Sequence, residues 1–145
     1  MLDRLSVDPA RVTFLAADSD RAAHLAAYRE IDIALDPFPF TGSTTSFEAL
    51  SMGVPVVTLA GDRMVSRWTS SILTRLSLTE LIAADRADYV RIARELTGDP
   101  QRLTELRAAL PARVAGSPLC AAHAKARQVE RLYRLFWRRF CARQG

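Results

Sequence analysis

Short apolar runs alternate with amphipathic stretches through the first half of the chain, and the second half settles into helical periods. Arg11-Val12-Thr13-Phe14-Leu15 reads as a strand behind a loop at Asp8-Pro9. Asp18-Ser19-Asp20 offers N-caps for a helix reaching about Arg29. Ile31-Asp32-Ile33-Ala34-Leu35 is a second strand. Asp36-Pro37-Phe38-Pro39-Phe40 stops it, because proline neither donates to a ladder nor continues a helix. Gly42-Ser43-Thr44-Thr45 opens a short helix through about Met52, closed by Gly53. Val54-Pro55-Val56-Val57-Thr58-Leu59 is a third strand, and a helix follows the Gly61-Asp62-Arg63 turn from about Ser66 to Arg75. A fourth short strand is expected near Leu81-Ile82. Strands alternating with helices predict an α/β fold with a parallel sheet.

The remainder is helical. Asp85 and Asp88 form a capping-box-like start, and Tyr89, Ile92, Ala93 and Leu96 share a face before Gly98. Asp99-Pro100 caps the next helix, whose Leu103, Leu106 and Leu110 align. A last helix from about Leu119 to Ala142 places Val129, Leu132, Tyr133, Phe136 and Phe140 on one stripe, expected to be buried. The strands fall short of the roughly five or six of a free-standing doubly wound domain. The chain therefore reads as the later part of one, without its opening strand and helix.

Composition supports one globular domain: 145 residues, 49% hydrophobic, 25% charged and 8% aromatic. No apolar run approaches the roughly 18 residues of a membrane span, and Met1-Leu2-Asp3-Arg4-Leu5-Ser6 is no secretory signal. Cys120 and Cys141 on one helix would stand roughly 30 Å apart and cannot pair, which points to a reducing cytoplasm. Charge changes the picture more. Residues 1–110 hold 12 basic and 15 acidic side chains, whereas residues 111–145 hold 8 basic side chains and one acid, Glu130. An acidic body argues against nucleic acid wrapping the domain.

The stretch from Asp36 to Gly61 carries the candidate chemistry. The first amides of a helix lack backbone partners, and the macrodipole adds positive charge there. With Gly42, Ser43, Thr44 and Thr45 at that end, the helix offers a phosphate cradle without a lysine. Glu48 lies about 4.5 Å further along the axis, at roughly 1.5 Å per residue, where a carboxylate can take ribose hydroxyls. The same residues read equally as N-caps and a first-turn acid. His24, on the preceding helix, is placed to pack on a nucleotide base, with Arg21 one turn earlier; a lone histidine on an alanine-rich helix also reads as structural.

From about Val12 onward the sequence resembles the C-terminal half of the catalytic region of protein O-GlcNAc transferases. These form glycosyltransferase family forty-one with SPINDLY-like enzymes and many bacterial tetratricopeptide-repeat proteins. The residues that carry the resemblance are His24, Asp32-Ile33-Ala34-Leu35-Asp36, Gly42-Ser43-Thr44-Thr45, Gly53-Val54-Pro55-Val56-Val57-Thr58, Gly61 and Ser66-Arg67. Later ones are Leu81-Ile82-Ala83, Tyr89, Ser117-Pro118-Leu119 and Glu130-Arg131-Leu132-Tyr133.

The resemblance implies a Rossmann-like C-terminal half of a GT-B glycosyltransferase, a parallel sheet with flanking helices and a helical tail. Residues 1–115 would form the nucleotide-sugar-binding domain. Residues 116–145 would form a helix packing on it or on the missing N-terminal half. By the same resemblance, His24 would pack against uracil, Arg21 would contact the nucleotide, Thr44 and Thr45 with Ser43 beside them would hold the diphosphate, and Glu48 would bind ribose. The donor would be UDP-GlcNAc, or within the family GDP-fucose or UDP-glucose, and the acceptor Ser or Thr of a protein. Transfer would be inverting and metal-independent. This sequence departs from animal members at Ser43, which replaces a histidine, and at Ala27, which replaces an arginine. The family's leaving-group lysine and proton acceptors lie upstream, so the chain is expected to hold half a site, inactive alone, with no catalytic residue of its own.

A rival reading rests on the last helix. Arg127, Arg131, Arg134 and Arg138 form a stripe suited to an acidic partner, anionic lipid or RNA, or simply to solvent. RNA is disfavoured there if Tyr133, Phe136 and Phe140 belong to the core. Trp137 and some of these arginines would otherwise face the missing half.

Overall fold

The computed structural model describes residues 7–15 and 20–143. After a 3-10 turn at Pro9–Arg11, α1 (Arg21–Ala26) starts under Asp20, whose carboxylate accepts the amides of Ala22 and Ala23. A 3-10 turn at Ala27–Glu30 leads to β1 (Ala34–Leu35), then α2 (Thr44–Ser51), β2 (Val56–Leu59), α3 (Trp68–Arg75) and β3 (Ile82–Ala83). Three helices complete the chain: α4 (Arg86–Thr97), α5 (Pro100–Ala115) and α6 (Ala122–Cys141). The sheet is parallel in the order β1-β2-β3, with Ala34 opposite Val56 and Thr58 opposite Ile82.

Local chemistry sets several of these boundaries as expected. Asp85 accepts the amide of Asp88, Asp88 reaches back to the amide of Ala84, and Asp99 accepts from Arg102. Gly53 follows α2 at φ +85, a region that favours glycine, and a Cβ there would stand 2.7 Å from the Arg107 carbonyl oxygen. That close approach lets α5 pack against α2. The core is built from Leu50, Val54, Val56, Val57, Leu73, Leu78, Leu81 and Leu110, with Ile92, Leu96 and Leu106 closing it from α4 and α5.

Three expectations need correction. The strand at residues 11–15 does not form: Arg11 ends the first turn and residues 12–15 have no regular structure. A strand exists only as a member of a ladder, and among the described residues nothing pairs with this one. Phe14 and Leu15 consequently stand 87% and 59% exposed. The other strands shorten to the residues that have sheet partners, four in β2 and two in β1 and β3. Third, the stripe on the last helix is not buried. No residue of α6 is buried, and Val129, Leu132, Tyr133, Phe136 and Phe140 are all exposed, with Trp137 stacked on Phe140 beside them. The periodicity is real, but burial needs a facing surface, and the described residues supply none. The aromatic residues are therefore not withheld by the core. The first two residues proposed as caps, Asp18 and Ser19, and the N-terminal Met1-Leu2-Asp3-Arg4-Leu5-Ser6 lie outside the described residues.

Candidate functional site

The loop between β1 and α2 is held from below by Asp36, 4% exposed at the end of β1. One carboxylate oxygen accepts the Gly42 amide at 2.7 Å, and the other accepts the Thr58 hydroxyl at 2.6 Å from β2. A buried carboxylate is tolerated only with such donors, and bonds of this type are stronger than neutral ones. The Asp36 carbonyl also accepts the Tyr89 hydroxyl at 2.9 Å. Burial, followed by the Asp36 charge, raises the Tyr89 phenol above its ordinary value.

Further bonds close the loop from the α3 side. Thr69 donates to the Gly42 carbonyl at 2.9 Å and lies 2.9 Å from the Ser46 hydroxyl. Thr41 donates through both its amide and its hydroxyl to the Val65 carbonyl. Gly42 has no room for a side chain: a Cβ would stand 2.2 Å from Ser46 Oγ and 2.9 Å from Thr45 Oγ1. Asp36, Thr41, Ser46, Thr58 and Thr69 were not among the sequence candidates. Their signal was polar residues at positions that the strand and helix periods mark as buried.

On this support α2 presents its N-terminus outward. Ser43, the N-cap, makes no capping hydrogen bond, so the side-chain cap that the plainer sequence reading allowed is absent. Ser43, Thr44 and Thr45 are exposed. Among the described residues the Thr44 and Thr45 hydroxyls have no hydrogen-bond partner. A helix end without a side-chain cap leaves its first amides without that partner and carries the positive end of the helix dipole.

One turn further along α2, Glu48 meets α1. Its Oε2 lies 3.2 Å from His24 Nε2, with the two side chains 17% and 43% exposed. Tyr28 links the two elements: its ring stands edge-on to His24 at 5.7 Å, and its hydroxyl donates to the Thr45 carbonyl at 3.3 Å. Burial, followed by the Glu48 charge, raises the Tyr28 phenol. The fold thus gathers His24, Thr45 and Glu48 into one group. Arg21 is exposed at the head of α1, and neither it nor the Ser43 side chain bonds to that group. Ser66, one of the residues that carry the resemblance, turns inward at 3% exposure and fastens its own turn to Arg63, while Arg67 stays on the surface.

Beside the loop, along the carboxyl ends of the strands, lies a cavity of about 810 Å³ lined by Phe38, Phe40, Leu59, Gly61, Arg63 and Arg86 among others. Phe40 is braced edge-on by Trp68 and Phe38 by Tyr89, and the Arg86 guanidinium lies 5.4 Å from the Phe38 ring centre. The crevice outside the carboxyl ends of a parallel sheet is where ligands of open α/β folds bind.

The chain matches the model of glycosyl transferase family 41 over residues 1–129. It is 40% identical over 140 residues to the probable UDP-N-acetylglucosamine–peptide N-acetylglucosaminyltransferase SPINDLY of Oryza sativa subsp. japonica, covering 97% of this chain and 15% of that protein. Against the UDP-N-acetylglucosamine–peptide N-acetylglucosaminyltransferase of Caenorhabditis elegans, identity is 31% over 136 residues, covering 92% and 12%. Among solved structures, a mutant of the Thermobaculum terrenum O-GlcNAc transferase superposes with a TM-score of 0.90 at 38% identity, over 99% of this chain and 28% of that one. The chain thus spans about 15% of its plant relatives' length.

Proposed function

The chain belongs to glycosyltransferase family 41, and from that premise we propose that it is the donor-binding half of a protein O-GlcNAc transferase. Its fold is α/β, the Rossmann-like C-terminal half of a GT-B enzyme. The observation that carries the donor reading is the uncapped end of α2. Thr44 and Thr45 stand free there, next to the Glu48–His24 pair. In this reading UDP-GlcNAc lays its diphosphate on the helix end and Ser43, Thr44 and Thr45, its ribose on Glu48 and its uracil on His24, with Arg21 near the nucleotide. In this reading the amides and hydroxyls take up the charge that develops on the departing UDP, and transfer to Ser or Thr of an acceptor protein is inverting and metal-independent, as the family resemblance implies.

Proton abstraction from the acceptor hydroxyl belongs, in this reading, to the rest of the enzyme, and this chain alone binds donor without turnover. The exposed stripe of α6 is assigned to docking that remainder, the N-terminal GT-B half with any tetratricopeptide repeats. Large apolar side chains and Arg127, Arg131, Arg134 and Arg138 occupy opposite faces, so they meet a mixed apolar and acidic surface better than an RNA strand, which needs them interleaved. No helix among the described residues is long and apolar enough to cross a membrane. Two exposed free thiols fit a cytoplasmic setting.

Calorimetric titration of the purified chain with UDP, with GDP as control, tests the donor reading. UDP should bind and GDP should bind more weakly. Thr44→Ala and Thr45→Ala should each reduce UDP affinity by about 1–2 kcal/mol, the scale of a hydrogen bond to a charged group. A folded chain that ignores UDP, or threonine variants that bind it like the wild type, would refute the reading.

A further inference from the structure

Tyr28 lies outside the set of residues so far assigned to the donor, yet its side chain touches two of them, His24 and Thr45. It sits in the 3-10 turn Ala27–Glu30 and packs against the core, and two further contacts tie it to α1 and to α2. The ring meets the His24 imidazole edge-on, at 5.7 Å and 85°, an arrangement favoured by the ring quadrupoles. The hydroxyl crosses 17 positions of sequence to the Thr45 carbonyl at 3.3 Å. His24 itself reaches Glu48 one turn further along α2. The result is a closed circuit of Tyr28, His24, Glu48 and Thr45 that ties α1 to the first turn of α2. α1 is six residues long and has no buried residue, so its own packing fixes its place only weakly. A nucleotide that spans both elements needs the gap between its base contact and its phosphate contact set in advance, because an error of about 1 Å in such a gap loses much of the benefit of orientation.

We propose that Tyr28 is a positioning residue for the donor: it sets the span between the base-side contact at His24 and the diphosphate-side contact at Thr44 and Thr45. This rests on the donor reading given above. Tyr28 acts through His24 and the Thr45 backbone, and its hydroxyl is committed to a carbonyl, not to the ligand. The phenyl ring and the hydroxyl therefore do separable work. The ring orients the imidazole; the hydroxyl holds the phosphate-binding turn at the right distance from it.

Tyr28→Phe and Tyr28→Ala in the full 145-residue chain separate these parts, with uridine and UDP as probes. Uridine reads the base and ribose contacts, and UDP adds the diphosphate. Tyr28→Phe keeps the brace on His24, so uridine affinity should stay within about twofold of the wild type, whereas UDP affinity should fall about three- to tenfold, the scale of one hydrogen bond. Tyr28→Ala should weaken uridine as well, and its His24 ring protons should lose the shift from the neighbouring ring in the NMR spectrum, while Tyr28→Phe retains it. A role in stability alone would weaken both ligands by the same factor in Tyr28→Phe, and that outcome overturns the proposal, as does unchanged UDP binding. Wild-type chain that fails to bind UDP overturns the donor reading, and this role with it; wild type that binds UDP beside a Tyr28→Phe variant that binds equally well overturns the Tyr28 role alone.

Discussion

Replacing Gly42 by alanine tests whether the loop under the α2 N-terminus is as tightly built as its contacts imply. The backbone at Gly42 is not in the left-handed region, so alanine meets no conformational objection, and the smaller freedom of the unfolded chain would by itself favour the variant by about 0.4–1 kcal/mol. Sterics oppose it. The new methyl would stand 2.2 Å from Ser46 Oγ, 2.9 Å from Thr45 Oγ1 and 3.1 Å from Asp36 Oδ1. Ser46 is buried and cannot swing into solvent, so it must give up its bond to Thr69 or push α2 outward. Losing that bond costs about 0.5–1.5 kcal/mol. Overpacking a filled site adds about 1–3 kcal/mol. The net expectation is a loss of about 0.5–4 kcal/mol, and a melting midpoint lower by roughly 2–12 °C.

Urea unfolding followed by circular dichroism measures it, with two companions. Gly98→Ala places its methyl at ordinary contact, 3.5 Å from two helical carbonyl oxygens, and should be neutral or stabilising by up to about 1 kcal/mol. Gly42→Ala with Ser46→Ala removes the atom nearest the clash and should recover about 1 kcal/mol or more over Gly42→Ala alone, a non-additivity expected only of residues in contact. Gly42→Ala with wild-type stability, or a double variant no better than the sum of its parts, would refute the reasoning.

Two further outcomes are expected. Tyr28 and Tyr89 have phenols raised above 10.0, first by burial and then by the Glu48 and Asp36 charges respectively. A raised folded-state value means that the contribution to stability is complete below about pH 10 and is lost as pH climbs from there through the folded value. Unfolding free energy should therefore fall as pH climbs above about 10, as pH-dependent urea melts would show, and less steeply in Tyr89→Phe; a curve unaffected by that change would contradict the assignment. On α6, Phe136→Ser and Trp137→Ser should alter stability by no more than about 0.5 kcal/mol because both side chains already face solvent, whereas Leu110→Ala should cost about 2–5 kcal/mol. A large loss from Phe136→Ser would mean that α6 packs on the body of this chain in solution.

What could be read from the sequence depended on interactions that span only a few residues. The Asp20, Asp85 and Asp99 caps and the stop at Gly53 are bonds or dihedral demands that reach no more than four positions, so composition and period suffice to locate them. The pattern from Gly42 to Thr45 announced a helix opening for the same reason. Tertiary structure decided everything that needs a facing surface. Residues 11–15 have the apolar alternation of a strand and α6 has the apolar stripe of a buried helix, but neither meets a partner among the described residues, and an amphipathic pattern says only which side would be covered. The site shows the same division. His24 and Glu48 are each visible as candidates, yet their 3.2 Å meeting across 24 positions is fixed by how α1 lies on α2. Asp36, which the sequence shows as the end of a strand, becomes the anchor of the loop before α2 because the parallel register brings Thr58 alongside it and the turn returns the Gly42 amide. A buried carboxylate is defined by its donors, and these come from distant parts of the chain.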